Sequence, residues 1–281
     1  MTFSPLKDVE QLRQGWRWNG PRPRTWAPPA PGVPDRPSNI GWARAEPVRS
    51  LRWLVQRGLS MPFTRVMASP VIEGREWVQN LERPVILAAN HVSHADTPLL
   101  LYALPDGVRE QTVVAAAADY WYRRPWLGRA VALWLNTFPF SRTGSPQAVL
   151  HSSSLLLKSG WNLLIYPEGT RSPDGRLREF KPGIGFLAVE TRTPVVPMHV
   201  QGSRRIMPKG RGYPLPAPAR VRIGRPLTPA RGEGSRAFAE RIERAVQVLA
   251  EGRREPEVVG TWIERWRATG PRMSLPTRGG G

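Results

Sequence analysis

Two stretches of the chain carry residue types able to do chemistry. The first is Asn90-His91-Val92-Ser93-His94-Ala95-Asp96; the second, further along, is Tyr166-Pro167-Glu168-Gly169-Thr170-Arg171-Ser172. The first offers an imidazole as general base and a carboxylate to orient it. The second is a turn with its own acid and guanidinium, suited to holding an anion. On one regular helix, positions five apart diverge by about 140°, so His91 and Asp96 could not meet there. They meet if His91 lies in a turn leaving a strand and a helix begins near Ser93. Ser93 and Asp96 form an S-x-x-D capping box ahead of Pro98-Leu99-Leu100-Leu101, which places Asp96 in the first helical turn. From there its carboxylate can accept the imidazole N–H, fix the tautomer and leave the other ring nitrogen free to take a proton.

Blander roles compete with this one. Asp96 can be a capping acid alone, and His91 a satisfied turn histidine. His91, His94 and Asp96 can also be read as metal ligands. Against that, the chain has only four histidines, no cysteine and no matching distant ligand cluster. A serine hydrolase is poorly supported, since no G-x-S-x-G elbow occurs.

Both motifs follow short apolar runs, residues 85–89 and 163–165, that read as buried strands. Active sites of α/β proteins collect at such strand ends. The expected fold is therefore α/β, a central mixed sheet flanked by helices, with an N-terminal amphipathic helical segment at the membrane and a closing strand at residues 221–224. Residues 121–135 read as a helix apolar on most sides with aromatics at its entrance. Residues 236–249 read as an amphipathic helix through Phe238, Ile242, Val246 and Leu249.

The expected organisation is a tail over 1–41, a basic helical segment over 42–70, one catalytic domain over 71–250 and a C-terminal helix or tail over 251–281. Eight prolines and no periodicity mark residues 1–41 as extended, although Trp16, Trp18 and Trp26 could strap onto a surface or enter a membrane interface. From Trp42 to Met67, Val48, Leu51, Leu54, Val55, Leu59 and Met61 alternate with Arg44, Arg49, Arg52 and Arg57. Such a helix packs on a core or lies on a membrane, with Arg49, Arg52 and Arg57 meeting anionic lipid in the second case. Pro62 is expected to break or kink it.

With 41 Lys+Arg against 22 Asp+Glu, the formal charge of +19 calls for anionic partners. Nucleic acid, an anionic lipid surface, coenzyme A and an acidic acyl carrier protein all qualify by charge. An arginine-rich composition can also reflect the source organism. Residues 204–231 hold eight basic residues and no acidic one, in a proline-rich stretch that reads as a basic loop. No apolar run reaches the roughly eighteen residues a membrane span needs, and no apolar leader follows Met1. The absence of cysteine removes any disulfide framework. The expected location is the cytoplasmic face of a membrane, peripheral or monotopic.

The two motifs together resemble the glycerolipid acyltransferase family, which includes the 1-acyl-glycerol-3-phosphate acyltransferases. Its N-H-x-S-x-x-D motif is matched by Asn90, His91, Ser93 and Asp96. Its F-P-E-G-T-R-S motif is matched except that Tyr166 replaces the usual Phe. Phe138-Pro139-Phe140-Ser141-Arg142 is similar to the second motif, with Pro139 at an ordinarily aliphatic or aromatic place, and Val195-Val196-Pro197 to the fourth. The resemblance implies an acyl transfer with no cofactor. In it His91 deprotonates an acceptor hydroxyl that attacks an acyl thioester of coenzyme A or acyl carrier protein, and Asp96 steadies the imidazolium. The implied acceptor is lysophosphatidic acid, with another lysophospholipid or a glycolipid as the alternative. Glu168, Gly169, Thr170 and Arg171 would hold it, Arg171 with Arg142 forming a phosphate clamp, and Lys181 would bind phosphate, polarise a carbonyl or simply be solvated. The region of residues 121–135 would wall an acyl groove. On this reading nucleic acid has no part. A basic binding module without catalysis is the reading from a different class.

Overall fold

The computed structural model describes residues 41–79, 81, 84–122, 124–140, 146–208 and 210–252. Among them lie seven strands: β1 (Val71–Glu73), β2 (Ile86–Ala89), β3 (Thr112–Ala117), β4 (Thr137–Phe140), β5 (Asn162–Ile165), β6 (Val195–Gln201) and β7 (Arg220–Ile223). They form one sheet in the order β1-β7-β6-β2-β5-β3-β4. Every neighbouring pair is parallel except β6 and β7, so the sheet is mixed, as expected. The apolar runs at residues 85–89 and 163–165 become the central strands β2 and β5, with Leu87 opposite Leu164. Strands covered on both faces read as continuous apolar runs, which is why these two were legible.

Alternation along the strands divides the core. Leu87, Ala89, Leu164 and Met198 face one layer, with Leu99, Leu100 and Leu101 of α3 (Asp96–Ala103) and Val131 and Leu135 of α4 (Pro125–Leu135). Ile86, Ala88, Leu163 and Val195 face the other, against Leu157 of α5 (Pro146–Lys158), Ile184 and Leu187 of α6 (Gly183–Thr191), and Phe238, Ile242 and Val246 of α7 (Ser235–Ala250). Both helices expected near residues 121–135 and 236–249 are therefore present. Residues 221–224 were expected to close the sheet; β7 instead lies inside it, because β1 pairs on its outer side. β1 has only three residues and one partly covered side chain, too little for an alternation signal.

Residues 46–68 are helical, with a polarity the reverse of the ordinary packing pattern. Helix α1 (Glu46–Val55) and helix α2 (Met61–Ala68) are joined by a π-helical turn, Gln56–Ser60, so Pro62 does not break the path. The buried stripe is Arg52, Gln56, Ser60 and Thr64, at successive i, i+4 positions. Leu54, Leu59 and Val66 are 60%, 68% and 75% exposed. Arg52 Nε donates to Leu133 O at 2.9 Å and Gln56 Nε2 to Trp134 O at 2.7 Å, filling last-turn carbonyls of α4. The expectation that Arg52 meets lipid is thus corrected: it is buried, and it also bonds Ala43 O. Arg49 and Arg57 are paired with Glu46 and Asp106. Among the described residues no helix is long and apolar enough to cross a membrane. The proposed tails, apart from residues 41, 251 and 252, and Arg142 with its neighbours, lie outside the described residues.

Candidate active site

The site stands at the C-terminal ends of β2 and β5. Asn90 extends the β2–β6 ladder with its side chain, accepting Val200 N–H at 2.7 Å and donating to Val200 O at 3.0 Å. This anchors the residue just before His91. The chain then turns, and Asp96 opens α3. His91 Nδ1 lies 2.8 Å from Asp96 Oδ2, which also accepts the Val92 N–H at 2.7 Å and the Ser93 N–H at 2.8 Å. An oxygen already accepting two N–H groups takes its third bond as an acceptor too. A neutral imidazole here therefore carries its proton on Nδ1 and its lone pair on Nε2.

The capping box forms only in half. The carboxylate takes the Ser93 N–H, but Ser93 Oγ donates to Met207 O at 2.7 Å and accepts Ala95 N–H at 3.0 Å, so the helix starts at Asp96 and not at Ser93. A buried serine facing a loop carbonyl satisfies that carbonyl in preference to the box.

The second motif closes over the first. Ser172 N donates to His91 O at 2.8 Å, and Glu168 Oε1 accepts the His91 N–H at 2.8 Å. Tyr166 stacks on the imidazole with ring centroids 3.9 Å apart and planes 14° from parallel, while its hydroxyl meets Thr97 Oγ1 at 2.7 Å. Neither contact was read from the sequence; the Tyr in place of Phe, with Thr97 directly after Asp96, was the available signal. Glu168 was expected to meet the acceptor. It is 5% exposed and turned to the His91 backbone, with Oε2 buried and lacking a partner among the described residues. Burial, aided by the charge of Asp96 and opposed by backbone N–H groups of His91 and Arg178, raises its pKa to about 7.

Gly169, Thr170, Arg171 and Lys181 line a cavity of about 750 Å³ together with His91. Gly169 has φ 74°, a left-handed conformation that favours glycine, and a Cβ there would stand 2.7 Å from Lys181 Cε and Nζ, so a side chain would push the end of this lysine aside. Arg171 Cζ lies 5.6 Å from the Tyr120 ring centroid. The deeper walls are apolar, with Val131, Trp134, Leu135, Phe138, Ile184 and Leu187. Pro139 is tolerated because β4 is an edge strand. His94 also lines this cavity, beside Tyr120, whose hydroxyl lies 3.1 Å from Nε2, and Trp121. Burial and then the charge of Arg171 lower its pKa to about 4, so it is neutral. Among the described residues no three of His, Cys, Asp and Glu are grouped to hold a metal ion.

A sheet-end histidine–carboxylate pair thus stands on a cavity that also carries Arg171 and Lys181 and is otherwise largely apolar. Residues 69–201 match a family model described as acyltransferase. Over 193 residues the chain is 32% identical to a 1-acyl-sn-glycerol-3-phosphate acyltransferase of Pseudomonas aeruginosa, covering 67% of this chain and 71% of that protein. It is 32% identical over 167 residues to the enzyme of that name from Cocos nucifera, covering 58% of this chain and 51% of that one. The chain thus spans about half the length of several curated relatives it matches. The crystal structure of the 1-acyl-sn-glycerophosphate acyltransferase PlsC from Thermotoga maritima superposes with a TM-score of 0.55 at 26% identity, covering 76% of this chain and 83% of that one. This chain belongs to the glycerolipid acyltransferase family.

Proposed function

We propose that the chain transfers an acyl group from an acyl thioester to the free hydroxyl of lysophosphatidic acid, giving phosphatidic acid. The observation that carries this reading is the His91–Asp96 pair, tautomer set, facing a cavity that is cationic at Arg171 and Lys181 and apolar beyond. The acceptor hydroxyl oxygen attacks the thioester carbonyl while its proton passes to His91 Nε2. The tetrahedral oxyanion collapses, the C–S bond breaks, and the imidazolium returns the proton to the leaving thiolate. A thioester is already activated, so no covalent enzyme intermediate is required. A positioned base contributes on the order of 10²–10⁴-fold. Asp96 holds the imidazole and stabilises its charged form. Glu168 acts through the backbone of the His91 turn and has no direct grip on the acceptor. The names carried by the Pseudomonas aeruginosa and Thermotoga maritima relatives agree with the acceptor.

The apolar outward face of α1 and α2 is the part of the molecule that would enter a membrane. Phe63 and Met67 of α2 also line the cavity, so immersion of that face would bring the cavity mouth to the lipid. An acceptor with a long acyl chain then reaches His91 without crossing water.

Purified chain, radiolabelled acyl-coenzyme A and a panel of lysolipids test the proposal. Lysophosphatidic acid should be consumed fastest, and His91→Ala should abolish transfer with the fold retained. Faster turnover of another lysophospholipid or a glycolipid would replace the acceptor. No transfer to any lipid would favour the non-catalytic binding module. Arg171→Lys should raise the acceptor KM, since lysine cannot reproduce a bidentate fork on phosphate, and leave the donor KM nearly unchanged.

A further inference from the structure

A second cleft, of about 1190 Å³, opens beside the His91 cavity at the same end of the sheet. β6 runs parallel to β2, and β7 antiparallel to β6, with Gln201 opposite Arg220. The end of β6 and the start of β7 therefore flank the strand end that carries His91. His91 lines the cavity and Val92 lines the cleft. Two segments pass from one to the other. Arg171 lies on the cavity and Arg176 on the cleft; Met207 lies on the cavity and Arg205 on the cleft.

The two spaces differ in chemistry. Five arginines line the cleft (176, 204, 205, 220 and 222), against one acidic lining residue, Asp174. Some of these charges are already used. Arg220 and Arg222 share Glu73, and Arg204 Nη1 donates to Asp174 O at 3.0 Å. The side chains of Arg176 and Arg205 are exposed and make no hydrogen bond or ion pair among the described residues. Asp174 feels the charge of Arg176 without an ion pair between them, and guanidinium forks that line a concave space unpaired are suited to phosphate.

We propose that this cleft seats the phosphorylated nucleotide end of an acyl-coenzyme A donor. The proposal rests on the acyl-transfer reading above. Acyl-coenzyme A is polyanionic at one end, apolar at the other and reactive between them. The basic cleft, the apolar cavity and the His91 turn between them repeat that order. Concavity favours a small phosphorylated molecule over the broad surface of an acidic carrier protein or a bilayer. The excess charge of the chain thus has one local use, in holding the donor's carrier.

The experiment uses the full chain in two arms. Calorimetry with free coenzyme A on His91→Ala measures binding without turnover. Steady-state kinetics on the otherwise wild-type chain measure the donor KM. Arg176→Ala with Arg205→Ala should weaken coenzyme A binding and raise the acyl-coenzyme A KM by about tenfold or more, as loss of charged hydrogen bonds does. The kcat and the acceptor KM should hold. Dephospho-coenzyme A should bind the parent more weakly than coenzyme A and feel the substitutions less. Unchanged coenzyme A affinity and donor KM would overturn the proposal. So would an effect confined to acyl carrier protein donors or to vesicle binding. Arginine-dependent coenzyme A binding without transfer to any lysolipid would leave the cleft standing and remove the acyl-transfer reading instead.

Discussion

Asp96 Oδ2 accepts three hydrogen bonds, one from the imidazole and two from the backbone of the turn that presents it. Charge, orientation and local folding therefore meet in one atom. Asp96→Asn keeps the shape but removes the charge and forces a choice between ring and backbone. We expect kcat to fall by about 10²–10⁴-fold, with a stability loss of roughly 1–3 kcal/mol from the weakened turn. A melting curve beside the kinetics separates the two; a stability loss with unchanged kcat would reduce Asp96 to a cap. Glu168 makes the opposite prediction. Its folded pKa of about 7 lies above the ordinary 4.5, so the folded state binds the proton more tightly than the unfolded one. Stability contributed by the neutral form is then lost as pH rises from about 4.5 to about 7, on the order of 3 kcal/mol in all. Glu168→Gln keeps an acceptor for the His91 N–H and cannot ionise. Its melting temperature relative to wild type should be higher near pH 8 than near pH 5; a pH-independent difference would show that burial does not hold the carboxyl neutral.

At the scale of elements, α1 and α2 carry the most consequential inversion. Arg52 and Gln56 of the polar stripe are taken up by α4 carbonyls, and the leucines are left outside. Leu54→Glu with Leu59→Glu should abolish vesicle binding while sparing turnover of a detergent-dispersed, short-chain acceptor, because these side chains are exposed and do not pack into the domain. Arg52→Met should do the reverse, destabilising the chain by roughly 2–4 kcal/mol through buried carbonyls left unpaired, with vesicle binding intact in the folded fraction. Cosedimentation and thermal unfolding on the same samples decide between them. A loss of vesicle binding in Arg52→Met alone would restore the basic-face reading. The amphipathic period of this segment was legible from sequence. Which stripe faces the domain was not, since Leu133 and Trp134, some eighty residues away, decide it.

At the scale of the whole molecule, exposed Leu54, Leu59 and Val66 stand on the same segment as exposed Arg57 and Arg65. Outward leucines and valines, more than arginines, would carry membrane binding. Raising salt from about 0.1 M to 1 M shortens the Debye length from about 10 Å to 3 Å. Binding to anionic vesicles should then drop to the level seen on neutral ones without vanishing; complete release would make the contact electrostatic. The sequence by itself determined the strand-end motifs, the two central strands, the His91–Asp96 pairing and the family. Each of these rests on patterns within a few residues: apolar runs, a break before a helix, a carboxylate in its first turn. Tertiary structure alone turned a Glu168 oxygen to the His91 backbone, placed Tyr166 on the imidazole, put β1 outside β7 and gathered Arg176 and Arg205 around one cleft. Those outcomes depend on which distant carbonyl, ring or strand edge is left unsatisfied when the layers close, and no local spacing records that.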